Sequence, residues 1–340
     1  MKKNLFFLAV AAVALASCSS DETIAENSNV GKNQQKEIAF MPVAQPTTRS
    51  TVDGTVFPTS YSIIANAYDI TNGRAFFDAA KTFTNVATTT NWTTSPKAYW
   101  PLSATSISFL AYAELNPAAA SPVTWTNTQT LVLNMADNKS AQKDLMYACG
   151  FGAVTASGLN GLTFPTTVGM QFKHAQSWIT FTVNSDETSS GLVTLTSITL
   201  NDASYSGTYT VTHTGWDSTT PGAHSVAGVW SNISSNDDIA VPDWTEAAVN
   251  YESTPANVPF VGNGLLVVPD DTDDTDDFSG FTIAYKVDGK SYTYTYTPTE
   301  LDLEQGKKYI FNITFKLHEI IIAPTVLDWT GPATEDIDVI

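Results

Sequence analysis

Residues 291–297 read SYTYTYT, and residues 309–317 read YIFNITFKL. In the first, Tyr292, Tyr294 and Tyr296 fall on every second position. In the second, Tyr309, Phe311, Ile313, Phe315 and Leu317 do the same. A period of two sends neighbouring side chains to opposite faces of a strand, whereas a helix needs a period of 3.6. These two stretches therefore decide between strand and helix, and they predict strands. The pattern continues outward from them. Tyr61, Ile63, Ala65 and Ala67 alternate with Ser62, Ile64, Asn66 and Tyr68. Ile107, Phe109 and Ala111 share a side, and Ile179, Phe181 and Val183 alternate with threonines. Each such run is expected to have one buried and one wet face.

Turn signals divide these runs. The sequence VDGK, residues 287–290, separates FTIAY from SYTYTYT and predicts a tight hairpin on Asp288-Gly289. VTLTSITL, residues 193–200, shifts its phase between Leu195 and Ile198, as a β-bulge would require. Helical patterning is thin: AQKDLMYA (141–148) and WTEAAVNYE (244–252) each allow a turn or two. Many short strands without intervening helices predict an all-β fold of mainly antiparallel β-sandwiches. GLNGLTFPTTVG, residues 158–169, is rich in Gly, Thr and Pro, and a dense run of strands follows it. A boundary near residue 165 is expected, giving an N-terminal sandwich over 50–165 and a C-terminal one over 166–340.

The N-terminus carries a different signal. In MKKNLFFLAVAAVALASC, Lys2 and Lys3 precede an unbroken apolar run from Leu5 to Leu15. That run falls short of the ~20 residues of a membrane-spanning helix, so residues 1–17 are expected to be a signal peptide. LASC at Leu15–Cys18 resembles a bacterial lipobox, in which the cysteine is acylated, for instance with palmitate. Cys18 is the expected lipidation site. Residues 19–36 are polar and lack a hydrophobic period, as a tether would. Apart from Cys18 the chain has one cysteine, Cys149, so the mature chain cannot close an internal disulfide. Cys149 is expected to be a small core residue.

Composition narrows the function. The net charge is -18 over 340 residues, which repels phosphate backbones, so nucleic acid is not an expected partner. No G-x-S-x-G, HExxH, P-loop or dinucleotide-binding glycine pattern occurs, and the four histidines are scattered. The chain is therefore not expected to be an enzyme, and no cofactor or metal is expected. PDDTDDTDD, residues 269–277, has the carboxylates of a calcium site but not the glycine and terminal glutamate of an EF-hand loop. A solvated loop is the simpler reading. Trp216, Trp230 and Trp244, in Gly/Ser/Asn-rich surroundings, are candidate glycan contacts, although tryptophan in sandwiches is more often core.

One residue calls for explanation. The chain has two arginines, and Arg49 sits in the Pro/Thr loop PTTRST just after the strand-like KEIAFMPV. The lipobox LASC, IAF followed by TTRS, AYWP (98–101), KDLMYA (143–148), QFKHAQSWITFTV (171–183), LLVVP (265–269), and GKKYIFNITFKL followed by LDWTG occur in that order. Together they resemble the fimbrillin family, the type V pilus subunits of Bacteroidota. The resemblance implies two transthyretin-like β-sandwich domains and export as an outer-membrane lipoprotein. It implies a proteolytic cut between Arg49 and Ser50, so that 18–49 is a propeptide holding the lipidated tether and a removable first strand. Ile38 and Phe40 would face the core from that strand. A segment after Leu317 of another fimbrillin subunit would then fill the vacated groove, building a homo- or hetero-polymeric cell-surface fimbrium that supports adhesion to host or bacterial surface ligands. The competing reading is a monomeric surface glycan-binding lipoprotein that keeps its N-terminus.

Overall fold

The structure, a computed structural model, describes residues 35–44, 57, 59–86, 89–114, 123–127, 129–135, 143–157, 161–212, 228–242, 244–269, 279–298, 302–328 and 338–339. It is all-β. Among the described residues the only helical segment is a single 3-10 turn at Pro255–Asn257. The first half supplies β1 (Phe40–Ala44), β2 (Ser62–Asp69), β3 (Arg74–Ala75), β4 (Lys81–Asn85), β5 (Trp92–Thr94) and β6 (Thr105–Glu114). There follow β7 (Val123–Asn127), β8 (Thr130–Met135), β9 (Lys143–Asp144), β10 (Met146–Ser157), β11 (Gly161–Thr163) and β12 (Val168–His174). The second half supplies β13 (Ser177–Ser185), β14 (Val193–Thr212), β15 (Val229–Ala240), β16 (Ala247–Ala248) and β17 (Leu265–Val267). It ends with β18 (Phe281–Val287), β19 (Lys290–Tyr296), β20 (Lys307–Lys316), β21 (Glu319–Asp328) and β22 (Asp338–Val339).

In the first half the hydrogen bonding runs round a closed path. β2 pairs with β6, β6 with β10, β10 with β12, β12 with β1, β1 with β5, β5 with β4, and β4 with β2 again. The sandwich is thus rolled until its two sheets join, and β1 is one of the strands that join them. Ile63, Phe83, Phe109, Met170 and Phe172 fill the interior.

The second half, joined by β7 and β8 from the first, is an open sandwich. One sheet has the order β19-β18-β14-β8-β7, and the facing sheet has the order β17-β13-β20-β21. Phe181, Phe281 and Phe311 meet between them, with centroids 4.8–5.6 Å apart. Most pairs are antiparallel. β1–β12, β13–β20 and β9–β22 are parallel. The hairpin between β18 and β19 turns on Asp288 and Gly289, both at positive φ (49° and 75°), as the DG dipeptide requires. The register of β14 against β18 slips between Leu195 and Ser197, where the hydrophobic phase shifts in the sequence.

Three expectations are corrected. Of AQKDLMYA the described part, KDLMYA, is not helical: Lys143 and Asp144 form β9, and Met146 begins β10. Strands on both sides of β10 hold it extended, and this overrides local helix propensity. In WTEAAVNYE only Ala247–Ala248 is regular, as β16 on β14. The rule of one buried and one wet face also fails at both extremes. Ile64 and Asn66, on the outward side of β2, are buried, because a third apolar cluster covers that side. It combines Ile64, Leu110 and Tyr112 with Leu131, Tyr209 and Trp230. Conversely, β19 is an edge strand, and of its three tyrosines only Tyr296 packs inward, against Phe281 and Phe311.

Candidate functional site

The seat of β1 is the feature with chemistry to offer. KEIAFMPVA alternates correctly: Ile38 and Phe40 have no exposed surface, while Met41 is exposed. Phe40 lies 4.1 Å from the ring of Phe83 and 5.2 Å from Phe109, centroid to centroid. On one side β1 runs parallel to β12 over five residue pairs, from Phe40–Val168 to Ala44–Phe172. On the other it meets β5 at one pair, Phe40–Trp92. Ahead of the strand, the Ile38 amide donates to the Ala98 carbonyl and the Trp100 amide to the Lys36 carbonyl, at 2.8 and 2.9 Å. An ion pair between Lys97 and Glu37, at 3.3 Å, lies at the same end. Pro42 has no amide hydrogen, which further thins the ladder.

The trough beneath is aromatic. Its walls include Phe57, Phe83, Trp92, Trp100, Phe109 and Phe172, all buried. Trp100, from the AYWP stretch, reaches across to β10 and lies against Gly152. A methyl group there would come within 2.2 Å of the indole. Gly150, two residues earlier, is held close to Met170 in the same way. Sequence reading found AYWP and KDLMYA but not this contact. The signal available was the pair of alternating glycines, Gly150 and Gly152, in an otherwise apolar strand. The parallel pairing of β1 with β12 had no local signal, because the partner lies more than 120 residues away in sequence.

Other expected site residues fall as follows. Cys18, Arg49, Ser50, Trp216 and the acidic run at 270–277 lie outside the described residues. Trp230 is 3% exposed. Its Nε1 donates to the Ala175 carbonyl at 2.7 Å and its ring packs on Tyr209. It is a core residue and offers no open face to a sugar. Trp244 is half-buried against the second-half core, with Nε1 donating to the Leu195 carbonyl at 3.4 Å. The segment after Leu317 forms β21, paired along its whole length with β20, and later β22, which pairs with β9. Cys149 is half-buried on β10. Among the described residues no cluster of His, Cys, Asp and Glu could hold a metal ion.

The first unit thus closes through β1, and an open sandwich follows it. The chain matches the fimbrillin-like family model over residues 20–329, and it belongs to that family. No curated protein matches it. Among solved structures it is similar to a protein of Bacteroides uniformis assigned to cell adhesion, at 15% identity and a TM-score of 0.53. That match covers 86% of this chain and 99% of the other. A second such protein, from Bacteroides ovatus, gives 12% identity and a TM-score of 0.51, covering 88% and 99%. A fimbrial protein of Bacteroides vulgatus gives 16% and 0.47, covering 87% and 100%. At these identities the likeness concerns the fold.

Proposed function

We propose that this chain is a structural, non-catalytic subunit of a cell-surface fimbrium, assembled by strand exchange with other fimbrillin subunits. Membership of the fimbrillin-like family supports the fimbrial role, and the fold shared with the Bacteroides uniformis adhesion protein agrees with it. One observation carries the mechanism: β1 is a short strand, buried by two anchors, that lies between β12 and β5 immediately before the Arg49 loop. In this reading Cys18 is acylated and holds the precursor on the outer membrane. A cut between Arg49 and Ser50 separates β1 from the rest of the chain, and the lipid leaves with it. Loss of β1 leaves the edge of β12 unpaired and the Phe83–Phe109 trough open. Both would be restored by an extended segment from the region after Leu317 of another subunit. Burying two or three large apolar side chains, at about 1.5–3 kcal/mol each, would offset much of the cost of ordering that segment. We place the passage between the two units at Ala175–Gln176, where β12 leaves the first sheet and β13 enters the second.

The test is N-terminal mass spectrometry of the protein taken from the cell surface. The expected mature N-terminus is Ser50, and Arg49→Ala should instead keep residues 18–49 and remain monomeric. A surface protein that keeps its acylated Cys18 and intact β1 while assembled into a polymer would overturn the reading.

A further inference from the structure

In the uncut chain the free pole of the second sandwich holds a cavity of about 330 Å³, away from the β1 seat. It opens beside the β20–β21 turn, among Tyr285, Tyr294, Phe315, Leu317, His318 and Ile320. Its origin lies in the edge strand β19. Along that strand Tyr296 is packed, Tyr294 is 37% exposed and Tyr292 is 45% exposed, so cover is lost progressively toward the pole. The opposite wall stays closed: Tyr309, Phe311, Ile313 and Phe315 on β20 are all buried. The two sheets therefore part on one side only and leave tyrosine rings at the mouth. Tyr285 and Tyr292 stack across the β18–β19 pair with centroids 5.7 Å apart and planes 24° from parallel. Tyr292 backs the Tyr285 ring from outside the cavity and holds it before any ligand arrives, so little freedom is lost on binding.

The chemistry of the mouth selects a ligand class. Aromatic faces accept the apolar C–H face of a ring compound, and phenol hydroxyls donate and accept hydrogen bonds at its rim. Burial and the neighbouring Tyr292 push the Tyr285 phenol up, so it stays protonated at neutral pH. Among the described residues lining the cavity the one lysine, Lys316, is already paired with Glu319 at 2.9 Å. The chain's net charge of -18 further disfavours an anion. The volume lies at the lower end of the range for small-molecule sites, about 300–1,000 Å³. We propose that this cavity binds a neutral saccharide, one or two rings deep, stacked on Tyr294 and Tyr285. The site is separate from the β1 seat and is complete in the uncut chain, although the donor segment proposed above begins at its wall, at His318 and Ile320.

The experiment uses the uncut, soluble full chain lacking only the signal peptide and Cys18. Saturation-transfer NMR is run against maltotriose, cellotriose, mannotriose, chitotriose and β1,4-galactotriose, with sialyllactose as the anionic comparison. At least one neutral trisaccharide should bind, and more tightly than sialyllactose. Tyr294→Ala should weaken that binding at least tenfold, and Tyr292→Ala, which removes only the support behind Tyr285, should weaken it by a smaller factor. Unchanged far-ultraviolet circular dichroism would establish that each variant is folded. Absence of binding by all five neutral sugars overturns the proposal, as does binding that both variants retain in full. Displacement of the sugar by a peptide of residues 329–340, or a dimer that Tyr294→Ala dissolves, would reassign the cavity to subunit contact and overturn it equally. Because the uncut chain is used, these outcomes are independent of whether Arg49 is processed.

Discussion

Gly152 has the side chain it has because Trp100 occupies the space above it. A β-carbon there would sit 2.2 Å from the indole, deep within contact distance. Gly152→Ala should therefore cost about 1–3 kcal/mol through overpacking, seen as a lower urea midpoint with an unchanged slope. A variant as stable as the parent would mean that the indole can move aside freely. Asp69 provides a second test at this scale. It is buried at the end of β2, and burial by itself pushes its carboxyl up. Hydrogen bonds from the Asn72 side chain and amide (2.7 and 3.0 Å) and from Thr105 (2.8 Å), with Arg74 nearby, outweigh that and hold it below the usual range. A carboxyl depressed on folding contributes stability that is complete above its unfolded value of about 3.9 and is lost as pH falls through the folded value. Asp69→Asn should thus be less stable than the parent at pH 7, and the gap should narrow by pH 2–3. A gap of constant size across that range, measured by urea unfolding, would show that the carboxylate charge is not what matters.

At the scale of elements, β1 combines deep anchors with a thin ladder. Phe40 is fully buried, so Phe40→Ala should cost about 3–5 kcal/mol in the intact chain. The ladder to β5 is a single pair, so those anchors carry most of the hold. After trypsin cuts at Arg49, the peptide that carries β1 should therefore leave the Phe40→Ala protein much faster than the parent, read by size-exclusion chromatography and mass spectrometry. Equal release rates would place the hold in the β12 ladder instead. Much of this element was legible in the sequence, since the alternation in KEIAFMPV picks out Ile38 and Phe40 without any structure. The hairpin at Asp288-Gly289 and the slip near Leu195 were legible for the same reason, because turn chemistry and phase are local. What could not be read were the partners. Nothing in 40–44 specifies a parallel neighbour at 168–172, and nothing in SYTYTYT says that β19 is an edge. A strand's own sequence reports its two faces, whereas its neighbours are set by the rest of the fold. The two weak helical patterns misled for a related reason: strand partners on both sides decide the conformation of Met146–Ala148.

For the molecule as a whole, the question is whether the rolled first unit and the open second sandwich behave as one body. They are joined by more than the chain. The third apolar cluster takes Ile64, Leu110 and Tyr112 from the outside of the first unit and packs them with Leu131 on β8, Tyr209 on β14 and Trp230 on β15, three strands of the second sandwich. A polar node reinforces it. Gln305 Nε2 donates to the Tyr147 phenol at 2.9 Å, to the Tyr209 phenol, and to the His174 carbonyl at 3.3 Å. Burial pushes both phenols up, so neither ionises in the physiological range. Trp230 is central to both parts, since its ring lies 4.8 Å from Tyr209 and its Nε1 holds the Ala175 carbonyl, between β12 and β13. With the cluster intact, heating should unfold the protein in a single calorimetric transition. Trp230→Ala removes a buried indole and leaves that carbonyl without its donor, at a cost of about 3–5 kcal/mol. If the cluster is what couples the units, the variant should melt in two separated transitions, with the β1 seat still protected from hydrogen exchange after the first. One transition at a lower temperature would mean that the units are coupled elsewhere, and two transitions in the parent would mean that they were never coupled through Trp230.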